Sequence, residues 1–209
     1  MELRKFLLWA TLGIAIAIFS GATVFQEVRR ATPLAMNMQG FPTIGQSTAP
    51  IEVVLIEDFQ CKNCRAFSHK VLPQLQKQYV KGGKVRFILV PVSFLAGSQL
   101  IANAVLEVYM QNPKAFFPYL KEVLAFEGDL RIADLMRLAR RVSGINLAKL
   151  QSCIEKGCHQ PELQKNLSWA QGVMGSQFRT PALYVNGNVG STYSFEAIQY
   201  QIDSVLGKQ

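Results

Sequence analysis

Charge is scarce in these 209 residues: 17% are Asp, Glu, Lys or Arg, and the 22 cationic side chains never run longer than two in a row. The basic excess, 22 against 14 or +8, therefore lacks the clustered patch that nucleic-acid binding uses, and no nucleic-acid partner is expected. Cysteine is scarce as well. Four are too few for a disulfide-built scaffold at this length. Internal repeats and low-complexity tracts are absent, which argues against a solenoid or a fibrous chain. What remains is 49% apolar, too much for a disordered chain and enough for one well-cored domain with an appendage.

The longest gap in charge is local. From Phe6 to Phe25 there are twenty residues without one, FLLWATLGIAIAIFSGATVF, directly behind Arg4 and Lys5. At about 1.5 Å per residue a helix of this length just crosses a hydrocarbon core of about 30 Å. A buried soluble helix fits poorly, since it would lack a polar stripe and sit at the extreme N-terminus. Residues 1–25 are read as a signal peptide or a membrane anchor. Ser20-Gly21-Ala22 suits cleavage, whereas the length of the run suits retention. Arg29 and Arg30 balance Arg4 and Lys5, so charge does not orient the segment. Either outcome exports the remainder to an extracytoplasmic or periplasmic space.

Residues 26–47 carry Pro, Gly, Ser and Thr without sustained periodicity and read as a linker, with a short strand allowed at its end. After Pro50 the β-branched run IEVVLIEDF predicts a buried strand. CRAFSHKVLPQLQKQYV follows at helical spacing, with Pro73 predicting a kink. KVRFILVPV is a second buried strand. Helical patterns then fill 98–173, and Asn186-Gly187 in ALYVNGNVGSTY signals a hairpin. Ser194 caps a last amphipathic helix. The predicted order is strand–helix–strand, a helical block, then strand–strand–helix, an α/β domain over 48–207.

Cys61-Lys62-Asn63-Cys64 lies where a buried strand hands over to a helix. Unpaired amide N–H groups and the helix dipole would stabilise a negative sulfur at Cys61, and Lys62 would add positive charge beside it. Cys64, one turn on, is placed to close a disulfide with Cys61 and to resolve a mixed one. Three duller readings compete: half of a zinc site, a purely structural disulfide, and a buried inert pair. A zinc site would need Cys153 and Cys158, with His159 beside them, but their spacing is Cys-x4-Cys within the helical block. No metal ligands are assigned.

Together, DFQCKNCRAFS, the helix ending in VLPQL, the strand VRFILVPV and Thr180-Pro181 before LYVNG resemble the thioredoxin superfamily. The helical insertion between the second and third core strands is similar to that of the DsbA-like thiol:disulfide oxidoreductases. The resemblance implies a thioredoxin-like fold behind the N-terminal hydrophobic helix, with Cys61 the exposed reactive cysteine and Cys64 its buried partner. Thr180-Pro181 would form a cis-proline loop that pairs with an extended substrate segment and hinders metal capture by the two sulfurs. No cofactor is implied beyond the redox-active Cys61–Cys64 disulfide.

The sequence departs from that pattern in three places. The family often buries an acid six positions before the first cysteine, where Leu55 stands here; Glu57 and Asp58 lie nearer, as redox-tuning residues or as solvated loop side chains. Lys62-Asn63 lacks the proline or histidine of relatives, so no redox potential carries over. Phe178 and Arg179 replace small residues before Thr180 and would narrow or charge the groove.

Cys153 and Cys158, five apart, share no helix face, so a structural disulfide between them requires the helix to stop, which Gly157 provides. A second redox relay or free thiols are the alternatives. His69 and His159, the only histidines, receive no role. Phe116-Phe117 and Trp169 read as core of the helical block. The functional reading is a monomeric oxidase that introduces disulfides into reduced exported proteins and is reoxidised by a membrane redox partner. A reductase or isomerase kept reduced by a membrane donor is the alternative, although residues 26–49 are too short for the dimerisation domain of the family's isomerases. A non-enzymatic, zinc-stabilised domain is a third.

Overall fold

Two apolar, β-branched runs are buried on both faces, and the rest of the chain is arranged to cover them. The computed structural model describes residues 38–190 and 194–207. Its strands are β1 (Thr43–Ile44), β2 (Ile51–Glu57), β3 (Val85–Pro91), β4 (Ala182–Val185) and β5 (Asn188–Val189). They form one sheet in the order β1-β3-β2-β4-β5. β2 and β3 run parallel, with Val53 opposite Phe87 and Leu55 opposite Leu89. β4 adds antiparallel to β2, and β5 returns along β4 through the Asn186-Gly187 turn.

Side chains alternate across the pleat, so each central strand feeds two cores. Val53, Leu55, Phe87 and Leu89 enter the larger one, beneath helix α1 (Lys62–Leu75) and the helical block. Val54, Ile56, Ile88 and Val90 enter a smaller one with Met38, Ala170 and Tyr184. Helix α1 passes through Pro73 and gives way after Leu75 to a π-helical turn, Gln76–Val80. This change of winding follows within one turn of the position where the sequence predicts a kink.

The helical block comprises α2 (Ser98–Gln111), α3 (Pro113–Ala125), α4 (Ile132–Ala139), α5 (Leu147–Lys156) and α6 (Gln160–Met174), all between β3 and β4. Asn112 caps α3 by accepting from the Lys114 amide, with Pro113 in the first turn. Helix α5 ends at Gly157, left-handed at φ 63°. That stop lets the chain double back, and Cys153 and Cys158 form a disulfide across it. A final helix, α7 (Phe195–Leu206), is capped by Ser194 and closes the larger core through Phe195, Ile198 and Ile202.

The stretch expected to be a linker as far as residue 47 is part of the fold from Met38 onward. Met38 is buried, Phe41 packs with Trp169, and β1 pairs with β3. The short strand allowed at the end of that stretch is β1, although two residues carry no readable period from which to place it. The hydrophobic segment 6–25 and residues 26–37 lie outside the described residues. Among the described residues no helix is long and apolar enough to cross a membrane.

Gly45 tests whether this edge matters. It turns at φ +101°, and a Cβ there would stand 2.5 Å from the Val85 carbonyl oxygen. Gly45→Ala is predicted to destabilise the protein by at least about 2 kcal/mol, read by urea unfolding. A neutral result would mean that β1 is a passive edge.

Candidate active site

Strand β2 delivers its last residues beneath the start of α1. The Asp58 carbonyl accepts from the Cys61 amide at 2.9 Å, and Asp58 Oδ1 accepts from the Gln60 amide at 2.9 Å. This tight turn leaves Cys61 in the position just before α1, with extended backbone. No side chain caps the helix there, so the free amides of the first turn are left beside the Cys61 sulfur. Cys61 is half-buried and Cys64, one turn later, is fully buried; both are free thiols. Lys62 and Asn63 project into solvent between them.

The Thr180–Pro181 peptide bond is cis. It brings the Thr180 carbonyl to 3.7 Å from Cys61 Sγ, with the thiol as donor. Pro181 is buried and Arg179 exposed. An open groove of about 570 Å³ runs between α1, this loop and the start of α7, and its polar lining includes Asn63, Lys70, Arg179, Ser194 and Glu196. Arg179 thus does put a charge into the groove.

Asp58 also reaches across to the β3–α2 loop, where its Oδ2 accepts from the amides of Phe94 and Leu95 at 3.0 and 3.1 Å. The loop displays Phe94 and Leu95, exposed by 43% and 36%, with Phe94 edge-on to Phe178 at 5.3 Å. Sequence reasoning missed this apolar ridge. Its signal was the pair of large apolar residues that follows a strand and precedes Gly97.

The solvated-loop reading of Glu57 and Asp58 is wrong: both are 0% exposed. Glu57 closes β2 two residues after Leu55, hence on the same pleat face, under α1. Its Oε2 accepts from the Ser68 hydroxyl of α1, while Oε1 has no hydrogen-bond partner among the described residues. Burial raises the Glu57 carboxyl to about 8; the Ser68 hydrogen bond opposes that rise and the Asp58 carboxylate adds to it. Cys64 is raised far above an ordinary thiol, by burial first and then by the Glu57 charge. Among the described residues the chemistry available is therefore one accessible sulfur, one buried sulfur, and a buried carboxyl coupled to the second.

The Thioredoxin family model matches residues 38–204. The chain belongs to the thioredoxin family. Among its relatives, disulfide bond formation protein D of Bacillus subtilis is 28% identical over 177 residues, 81% of this chain and 79% of that protein. The crystal structure of Chlamydia trachomatis DsbA superposes with a TM-score of 0.77 at 29% identity, covering 87% of this chain and 98% of that one. Oxidised BdbD from Bacillus subtilis gives 0.73 at 26% identity, over 80% and 94%. Within the superfamily the chain is a DsbA-like protein thiol:disulfide oxidoreductase.

In this DsbA-like protein the position six before the first cysteine is apolar, yet the same pleat face carries an acid two residues on. One strand repeat moves the carboxyl towards the cysteines without changing the face on which it lies.

Between about 4.5 and 8 the folded protein keeps a proton on Glu57 that the unfolded chain has released. Stability therefore falls as pH rises across that window and levels off above it. Glu57→Gln is predicted to remove this part of the slope and to be more stable than the parent above pH 8 by roughly 2–5 kcal/mol. Urea unfolding across pH reads it, and an unchanged slope would contradict the buried-acid assignment.

Proposed function

We propose that the protein is an exported oxidase, which uses the Cys61–Cys64 disulfide to introduce disulfides into reduced secreted or envelope proteins. The observation that carries this reading is the unequal pair: Cys61 half-buried beside the cis-proline loop, Cys64 buried above a buried carboxyl. The relatives' names, disulfide bond formation protein D among them, support the oxidising direction. Export rests on the uncharged segment 6–25. Behind the leader or anchor of residues 1–25, the catalytic domain runs to about residue 207.

The exchange balances in two displacements. A substrate thiolate attacks Cys61 Sγ, the Cys61–Cys64 bond breaks, and its electron pair leaves on Cys64. A thiolate at Cys64 is strongly disfavoured where it sits. Glu57, largely protonated at neutral pH, supplies the proton, and Asp58 holds the turn that presents Cys61. A second substrate thiolate then attacks the substrate sulfur of the mixed disulfide, and Cys61 departs with the electrons. The free amides of α1 and the Lys62 charge receive the negative sulfur. The substrate loses two protons and two electrons: one proton replaces the one that Glu57 gave to Cys64, the other goes to the solvent while Cys61 is a thiolate, and the cysteine pair takes both electrons. A membrane redox partner removes them again.

Substrate recognition follows from the loop and the groove. Thr180 and Pro181 present backbone to an extended segment, which lies between the apolar ridge of Phe94 and the cationic wall of Lys70 and Arg179. The protein works as a monomer, and the exchange uses no cofactor beyond the Cys61–Cys64 disulfide.

The direction of flow is read from the reduction potential of the Cys61–Cys64 pair, equilibrated against glutathione. A value nearer about −120 mV, that of DsbA, is predicted; one near about −270 mV, that of thioredoxin, would assign a reductase instead.

A further inference from the structure

The second cysteine pair lies in a cluster of polar side chains drawn from α2, α5 and the turn that follows α5. Glu107 of α2 is buried. Its Oε2 lies 3.0 Å from His159 Nε2 and 3.8 Å from Cys158 Sγ. One ligand atom from each of Glu107, Cys153, Cys158 and His159 lies within 4.8 Å of every other. Two sulfurs, an imidazole nitrogen and a carboxylate oxygen are a tetrahedral zinc donor set, in which neighbouring ligand atoms stand roughly 3.3–3.8 Å apart. Contraction by about 1 Å would bring the widest pair to that spacing.

The surroundings already hold these donors in place. The His159 amide donates to Asn103 Oδ1 at 2.7 Å, which fixes the residue after Cys158. His159 Nδ1 lies 3.8 Å from the Glu162 carboxylate, so the ring has an acid behind the nitrogen that turns away from the cluster. Such a carboxylate orients a metal-binding histidine. Glu107 Oε1 accepts from Gln111 and lies 3.9 Å from Lys149 Nζ, leaving Oε2 directed at the sulfurs and His159. The turn at Gly157 keeps the two cysteine α-carbons 5.0 Å apart, so their sulfurs remain neighbours once the bond between them opens. Cys158 is exposed and open to a reductant, whereas Cys153 is buried.

We infer that Cys153, Cys158, His159 and Glu107 form a redox-gated zinc site, closed while the disulfide is intact and opened by its reduction. A dithiol, the class of reactant that the active pair exchanges with, passes two electrons and two protons to the disulfide and leaves as its own disulfide. The two thiols then release two protons to the solvent as their sulfurs bind Zn²⁺ together with His159 Nε2 and Glu107 Oε2. No electron moves in the second step. Bound metal withholds both thiolates from reoxidation, so the site stores the reduced state of the helical block.

The test uses the full chain carrying Cys61→Ser and Cys64→Ser, which removes the competing pair. After reduction with a phosphine and removal of the reagent without oxygen, it is titrated with Co²⁺ and then with Zn²⁺. One equivalent of Co²⁺ is expected to give thiolate charge-transfer and tetrahedral ligand-field bands, lost when Zn²⁺ displaces it. The oxidised protein should give neither. His159→Ala and Glu107→Gln should each weaken binding at least about tenfold, with circular dichroism confirming that each variant is folded. No tetrahedral spectrum in the reduced protein, or an affinity that neither substitution changes, would overturn the site.

Discussion

The end of strand β2 carries two carboxyl groups into the interior, side by side, and the active region is organised around them. Glu57 closes a strand whose other residues are apolar apart from Glu52, Asp58 follows directly after it, and both are 0% exposed. They meet this cost differently. Asp58 uses both oxygens, accepting from backbone amides at positions 60, 94 and 95, which satisfies its buried polar atoms. Glu57 has one hydroxyl donor for two oxygens, and holding its proton is the cheaper solution.

From this division the two halves of the site follow. The Asp58 hydrogen bonds shape the turn before α1 and tie it to the loop that displays Phe94 and Leu95, so the presentation of Cys61 and the apolar ridge share one anchor. Glu57 lies under α1, bonded to Ser68 of that helix, and its charge bears on the buried Cys64. One carboxyl thus positions and the other titrates. The cis-proline loop completes the arrangement from the far end of the chain, with its carbonyl 3.7 Å from Cys61 Sγ.

Much of this was legible in the residues. The β-branched apolar runs IEVVLIE and VRFILVP marked the central strands, because a strand buried on both faces is apolar almost throughout, and turn residues bound each run. The Cys-x-x-Cys was informative because it stood between a strand and a helix. Gly157 announced the stop that allows Cys153 to meet Cys158. Other features depended on contacts that pattern does not carry. Whether Glu57 faces solvent or core depends on how far α1 overhangs the strand, not on its neighbours in sequence. The two-residue β1 has no period to detect. The grouping of Glu107 with His159 arises from α2 packing against the end of α5, a contact between residues 52 positions apart.

The protonation state of Glu57 in the dithiol protein tests the account most directly. It can be followed by the carboxyl carbon resonance of labelled glutamate across pH, with Glu57→Gln to assign the signal. The account predicts a carboxyl that is largely protonated at neutral pH and titrates near 8. A Glu57 that is ionised at neutral pH and titrates near the ordinary 4.5 would contradict it.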